Sequence, residues 1–294
     1  MIIRVLANDS KMANLAILKI AQYHINAGDN VGWYQPLFDQ QIDKLYISKV
    51  FTFTDEIIYL PDCEIIKGGT GYDYSIKLPD EIEHITNVKQ AYNLLYPEIN
   101  YSVQFSTRGC FRKCGFCVVP KKEGFIHSVE LMELNDNGEY IELIDNIFFN
   151  YKGWKERLEK LKTFDQPLNF SSGLDLRTLT EEQAMELSKC KIKKIYCAWD
   201  NIEDEEIVFR GVDNLIKYIP KHKIMCYVLV GFNTTTEQDL YRVNKLNKYG
   251  IDPFAMGYID FEKNIKPNKK IRNFCRWVNH KAIFKTVKWE DYKG

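Results

Sequence analysis

The sequence predicts an α/β protein in which a small α/β domain precedes a partial β/α barrel. Short apolar runs alternate with helical patterns along most of the chain, and the alternation is more regular from residue 101 onward. The 294 residues, of which 45% are hydrophobic and 27% charged, suffice for one large domain and a smaller one. We place the segments at 1–98, 99–262 and 263–294, the last being a basic and aromatic extension.

The first segment has the pattern of a small flavodoxin-like or Rossmann-like sheet with one clear helix. We expect this helix over residues 10–29, with Ser10 as its N-cap and Gly28 at its end. The expected strands are 2–7, 30–34, 45–53 and 64–69.

The second segment carries six strand patterns, fewer than the eight of a complete barrel, so we expect an open, partial (β/α)6 barrel of the TIM type. In such folds the side chains at the C-terminal strand ends carry the chemistry. Thr180 is expected to cap one of its helices. The expected strands are 101–107, 140–146, 168–174, 194–199, 224–232 and 254–261, and the helices are 154–162, 180–190, 206–219 and 235–250.

Composition limits the cellular setting and the partners. The net charge is zero and the pI about 6.9, so the overall charge implies no polyanionic partner. The first residues show no basic stretch followed by an apolar one, and no apolar run reaches about 18 residues, so we expect neither a signal peptide nor a membrane partner. Eight cysteines then indicate a reducing compartment, and we predict a cytoplasmic protein.

Three cysteines, Cys110, Cys114 and Cys117, form a C-x3-C-x2-C motif just after the first of the six strands. Thiolates this close together suit zinc or an iron–sulfur cluster. Closed sites of either kind normally use four protein ligands, and no second ligand pair lies nearby. Three thiolates on one loop would leave one iron of a cluster open to a substrate. The alternatives are three buried thiols, or a zinc knuckle with Cys63 as a distant fourth ligand.

The motif, with Phe116 before its last cysteine, resembles the radical S-adenosylmethionine (radical SAM) enzymes, especially the branch of methylthiotransferases and cobalamin-dependent enzymes. The resemblance covers residues 101–262. It implies that the cysteines hold a 4Fe-4S cluster whose fourth iron is chelated by S-adenosylmethionine. Reductive cleavage of the sulfonium would then give a 5′-deoxyadenosyl radical that abstracts hydrogen from a substrate. It also implies a reductase of the flavodoxin or ferredoxin type as electron donor.

The resemblance further implies cofactor contacts at successive strand ends. Asp145 and Asn146 match a pair that contacts the methionyl amino group in this branch; a helix cap or a turn is the alternative. Asp200 matches the ribose-binding position, unless it caps the following helix. Arg210 resembles the residue that neutralises the methionyl carboxylate, although an ordinary surface arginine would look the same.

Two further strand ends carry candidates for the same cofactor. Ser172, Asp175 and Arg177 follow the third strand and are candidates to face the cleft, where Arg177 offers a fork for a carboxylate. Gly231 lies near the segment that runs along adenine in the family. It either permits that close approach or simply ends a strand.

The small domain, because it precedes such a barrel, resembles a cobalamin-binding domain. Those domains carry Asp-x-His-x-x-Gly after the first strand, whereas this chain reads ANDSKMANLA, so cobalamin is not expected. The methylthiotransferase subtype is also disfavoured, because its N-terminal domain carries three cysteines and this one has only Cys63.

Residues 263–294 carry 10 basic and 2 acidic side chains interleaved with aromatic ones. Such a surface suits phosphates and stacked bases, which leaves open an enzyme that modifies nucleotides or nucleic acid. At helical spacing, Ile271, Phe274, Val278 and Ala282 instead form an apolar stripe that would pack on the barrel.

The sequence thus predicts a radical SAM enzyme acting on an unidentified small molecule or nucleotide, with no catalytic side chain assigned. It leaves open a non-catalytic scaffold protein that binds an iron–sulfur cluster or zinc.

Overall fold

The structure, a computed structural model, describes residues 1–260, 263 and 265–294. It contains parallel β-sheets with helices between strands, which confirms the predicted α/β class. The chain divides into two compact units, residues 1–105 with 129–141, and residues 106–128 with 142–294. The expected boundary after residue 98 falls within the first unit, and the one at residue 262 lies outside the described residues.

The first unit contains a four-stranded sheet in the order β2-β1-β3-β4, and all its strand pairs are parallel. Its strands β1 to β4 are Ile2–Ala7, Asn30–Trp33, Lys44–Ser48 and Glu64–Gly68. Its helices α1 to α3 are Leu15–Asn26, Asp80–Glu83 and Lys89–Leu95. The strands lie where the sequence predicted them, although β3 ends five residues early.

Helix α1 begins later than predicted. The Ser10 hydroxyl donates to the Met12 carbonyl at 3.1 Å and does not cap the helix. Asn14 is the N-cap, and its side-chain oxygen accepts hydrogen bonds from the backbone N–H groups of Ala16 and Ile17 at 3.0 and 3.2 Å. The expectation of a helix from Ser10 is therefore wrong.

Asp9, which follows β1, is bound to another loop of the same unit. The Asp9 carboxylate accepts hydrogen bonds from the backbone N–H groups of Val50 and Phe51 and from the Thr54 hydroxyl, at 2.8 to 3.1 Å. Asp9 thus fixes the loop that follows β3. The expectation that this unit binds no cobalamin stays a prediction.

A second sheet has six strands in the order β12-β11-β10-β9-β8-β5, and β9 to β12 are paired in parallel. Strands β5 to β12 are Ser102–Gln104, Thr107–Arg108, His127–Ser128, Ile141–Leu143, Leu168–Leu174, Ile192–Ala198, Ile224–Val230 and Asp252–Gly257. The short strands β6 and β7 form a separate antiparallel pair. All six strands predicted for this part of the sequence are present.

Helices follow the later strands, much as the sequence predicted. Helices α4 to α10 are Val119–Glu123, Trp154–Lys162, Glu181–Ser188, Glu205–Ile216, Thr236–Lys248, Lys269–Asn279 and Lys281–Thr286. Thr180 caps α6 as expected, and Gln183 completes a capping box with it. None of the helices in the described part of the chain has the length and apolar character needed to cross a membrane.

The two faces of β10 to β12 differ because side chains alternate along a strand. One face carries fully buried residues, among them Cys197, Cys226 and Ala255, and α8 packs on β11 and β12. Cys197 and Cys226 are small residues of the core on this face. The other, which we call the open face, is defined by the half-buried residues Lys194, Tyr196, Ala198, Tyr227 and Phe254.

The C-terminal helix α9 packs against β12. Phe274 and Val278, with Trp277 between them, are buried, which confirms packing for this part of the expected apolar stripe. Ala282 is exposed, because α9 ends at Asn279 and Ala282 belongs to α10. The side chain of Asn279 donates to the Ala255 carbonyl at 3.0 Å and accepts from the Ala255 N–H at 2.8 Å.

Candidate functional site

The cysteine loop, residues 109–118, connects β6 with α4 in the second unit. The residues at its start are bound to residues 123–125, which follow the loop. Gly109 has φ of 86°, and a side chain there would collide with the Phe125 carbonyl oxygen. The Cys110 N–H donates to the Gly124 carbonyl at 3.0 Å. Arg108 forms an ion pair with Glu123, with 3.0 Å between Nη2 and Oε1. These contacts hold the two ends of the loop together.

The three thiols of the loop are half-buried and interact electrostatically. Burial raises the pKa of Cys110 and of Cys117, and the negative charge of Cys114 raises both further. The Arg112 N–H lies 3.4 Å from the Cys110 sulfur, and the Cys117 N–H donates to the Cys114 carbonyl at 3.0 Å. Among the described residues, no group of three or more His, Cys, Asp or Glu side chains is arranged to hold a metal ion.

A series of ion-paired side chains attaches the cysteine loop to the end of β9. Arg112, between the first two cysteines, donates from Nε to Asp175 Oδ2. Arg177 donates from Nε to the other oxygen of Asp175 at 2.8 Å, and its Nη1 lies 3.4 Å from Asp204 Oδ2. The carboxylate of Asp175 is thus shared by two guanidinium groups. The fork of Arg177, expected to be available for a carboxylate, is engaged by Asp175 and Asp204.

Asp145 fixes the beginning of the loop. Its carboxylate accepts hydrogen bonds from the N–H groups of Ser106 and Thr107, both at 2.7 Å, and from the Thr107 hydroxyl at 2.6 Å. The pKa of Asp145 is raised to about 7. Burial is the cause of this rise, and it outweighs the opposing effect of these hydrogen bonds and of the charge of Arg157. Arg157 donates to the Ser106 carbonyl at 2.9 Å. The neighbouring Asn146 is half-buried.

Asp200 lies at the end of β10, close to the cysteine loop. The pKa of Asp200 is raised to about 6, because burial outweighs the opposing effect of the charges of Arg177 and Arg242. The charge of Asp200 in turn raises the pKa of Cys117, so the two groups are close enough to interact. The N-cap of α7 is Asp204, and Asp200 does not cap that helix.

Arg242 was missed by the sequence analysis. It is fully buried on α8 and donates to the backbone carbonyls of Trp199, Asp200 and Leu229 at 2.6 to 2.7 Å. Its guanidinium also pairs with Asp239 at 2.6 Å. Arg242 therefore ties together the ends of β10 and β11. The Asp-x-x-Arg spacing on a helix is the only trace of this contact in the sequence.

Aromatic rings connect the loop with the ends of β11 and β12. Phe116 packs edge-on against Phe232 with 5.3 Å between ring centroids, and Phe232 lies 4.7 Å from the ring of Tyr258. Gly231 has φ of 78°, and a Cβ added there would lie 2.6 Å from Ile271 Cδ1. Gly231 therefore occupies a position that favours glycine.

Two predicted site residues are exposed, Ser172 on β9 and Arg210 on α7. The side chain of neither forms a hydrogen bond or an ion pair with another residue in the described ranges. The structure thus gathers Asp175, Arg177 and Asp200 around the loop. The contacts expected between the predicted residues and a cofactor stay predictions.

The comparisons with known proteins assign no family. No protein-family model matches the chain, and no curated protein matches it.

Proposed function

We propose that the protein is a radical SAM enzyme in which Cys110, Cys114 and Cys117 hold a 4Fe-4S cluster, with S-adenosylmethionine as the second cofactor. The observation that carries this proposal is the C-x3-C-x2-C loop beside Asp175 and Asp200, which follow neighbouring parallel strands. In a β/α barrel such an edge is where active sites form. We propose the six-stranded sheet as the partial (β/α)6 barrel.

The donor set suits a cluster of this kind in ligand type and number, although the described thiols are not arranged around a common metal position. Three soft thiols on one loop suit iron, and the spacing offers three ligands where a closed cluster uses four. Support therefore comes from the type and number of the donors and from their spacing along the chain. When bound, the two cofactors would supply reductive cleavage of a carbon–sulfur bond and abstraction of a hydrogen atom.

The surrounding residues have distinct roles in this proposal. Arg112 and Asp145 hold the middle and the beginning of the cysteine loop through the contacts described above. Asp200, whose carboxylate forms no ion pair with any described residue, is the acceptor for ribose hydroxyls. Asn146 would contact the methionyl amino group, and the backbone at Gly231 would contact the adenine.

The proposal implies a partner and a setting. A reductase of the flavodoxin or ferredoxin type would supply electrons, and a reducing compartment such as the cytoplasm would preserve the thiols. The substrate would be a small molecule or a nucleotide. Burial of Phe274 and Trp277 turns the aromatic part of the basic helix inward, which disfavours stacking on nucleic acid there.

The test is anaerobic reconstitution of the full chain with iron and sulfide, followed by dithionite and S-adenosylmethionine. We expect the visible absorbance of an iron–sulfur cluster and the formation of 5′-deoxyadenosine. Cys114→Ala should abolish both. Cys190→Ala, which removes another half-buried thiol away from the loop, should preserve both.

Two results would overturn the proposal. Stoichiometric zinc without a cluster would indicate a zinc-binding scaffold protein. A cluster that forms but yields no 5′-deoxyadenosine would indicate an iron–sulfur protein without this activity.

A further inference from the structure

The open face of the second sheet carries an aromatic platform. Tyr196 and Tyr227 are stacked with 5.2 Å between centroids and 18° between planes, and Phe254 packs edge-on against Tyr227 at 5.8 Å. The Tyr227 hydroxyl donates to the Ser171 carbonyl at 2.9 Å, which fixes its ring. The platform is half-buried, so its rings keep part of their surface available to a ligand.

Lys194 stands beside this platform without a partner for its charge. Its Nζ lies 5.5 Å from the centroid of the Tyr196 ring, and it forms no ion pair or hydrogen bond with any of the described residues. Burial lowers the pKa of Lys194, and the nearby charge of Lys281 lowers it further. A half-buried ammonium in this position gains more from an anionic ligand than a surface lysine does.

Two carboxylates lie near the open face. Glu142 accepts a hydrogen bond from the neutral Asn169 amide at 2.7 Å, and its charge acts on both Tyr196 and Tyr227. Asp252 pairs with Lys281. The charge of Asp252 also acts on Lys194, but Asp252 forms its ion pair with Lys281. Within the described part of the chain, Lys194 is thus a cation of this face that forms no ion pair with a carboxylate.

We propose that the open face binds an organic anion whose planar ring packs against the edges of the stacked Tyr196 and Tyr227 rings and whose phosphate or carboxylate pairs with Lys194. Identifying this anion as the substrate rests on the function proposed above. From Lys194 to Ala198 the strand rises by roughly 13 Å toward the edge that carries the cysteine loop, at about 3.3 Å per residue. A molecule the size of a nucleoside monophosphate would span that distance.

The experiment is calorimetric titration of the cluster-free full chain at pH 7 with two pairs of probes. Uridine 5′-monophosphate is compared with uridine, and indole-3-acetate with indole-3-acetamide, so the phosphate and the carboxylate are tested separately. At least one anion should bind about tenfold or more tightly than its neutral counterpart. Lys194→Met should remove that difference. Lys193→Met, on the adjacent exposed residue, should keep it.

Preference for one anion supports the proposal and identifies the acid group. Equal binding of both members of each pair, equal binding by Lys194→Met and the unaltered chain, or binding of none of the four probes would overturn it. Because the titration uses no cluster, its failure is distinguishable from a failed reconstitution, and a failed reconstitution would leave the binding result standing.

Discussion

Arg112 and Asp175 form an ion pair that joins the middle of the cysteine loop to the end of strand β9. Arg112 is separated from Cys110 and from Cys114 by one residue on each side. The position of two thiols therefore depends on a contact with a strand 63 residues farther along the chain.

Replacing Arg112 tests this dependence. Arg112→Met removes a charge-assisted hydrogen bond in a partly buried setting and should lower the free energy of unfolding by about 1–2 kcal/mol. It should also speed the loss of iron from a reconstituted chain, because the loop then loses its contact with the end of β9. Urea denaturation and the decay of cluster absorbance measure the two effects. Lys113→Met is the matched control, and identical behaviour of the two variants would refute the anchoring role.

Removing the charge of Asp145 should loosen the start of the loop. In Asp145→Asn one acceptor oxygen is replaced by an NH2 group that faces backbone donors, so we expect a loss of about 2–4 kcal/mol in unfolding free energy. Hydrogen exchange at the amides of Ser106 and Thr107 should quicken. The fully exposed Asp165 gives a control in Asp165→Asn, which should change neither measurement. If both amides keep their protection from hydrogen exchange in Asp145→Asn, Asp145 does not hold the start of the loop.

Asp200 should make stability fall as the pH rises. Its pKa is raised to about 6 in the folded chain, whereas an unfolded aspartate titrates near 3.8. The folded state therefore holds the proton between these values, and stability is lost through this window, by up to about 3 kcal/mol at pH 7. In Asp200→Asn this contribution disappears. Unfolding free energies at pH 4.5 and 7 should differ less in the variant than in the unaltered chain, and an equal difference would contradict the assignment.

Gly231 allows the conformational and steric costs of a side chain to be separated. Gly231→Ala should cost about 1 kcal/mol for its positive φ, and more because its Cβ would meet Ile271 Cδ1. Gly28→Ala, at the same φ of 78° with open space around it, should show the conformational cost alone. Adding Ile271→Val, which lacks Cδ1, should recover the steric part. Thermal unfolding of the variants measures each cost, and no recovery in the double variant would place the clash elsewhere.

Much of the fold could be predicted because its signals are local. Strand β9 and helix α5 lie at the residues that their period predicts, and Thr180 is followed three residues later by the Gln183 of a capping box. Helix α3 was not predicted. It is short and follows Val88, which supplies no side-chain cap, so the sequence carries no start signal.

The site was predictable in its donors but not in its connections. The spacing of the cysteines and the strand-end position of Asp200 are visible along the chain. The partners of Asp145 lie 38 and 39 residues away, and the four contacts of Arg242 join two strand ends through a helix. Such contacts depend on which strands become neighbours, which a single sequence does not encode locally.

The two hydrogen bonds between Asn279 and Ala255 have a consequence for the outer edge of the second sheet. An edge strand presents unpaired N–H and C=O groups that can template the addition of a strand from another molecule. The amide of Asn279 occupies both backbone groups of Ala255 on β12, much as a further strand would. Helix α9 therefore also covers part of this edge strand. Truncation before α9 would expose backbone groups of β12 to pairing with a strand of another molecule.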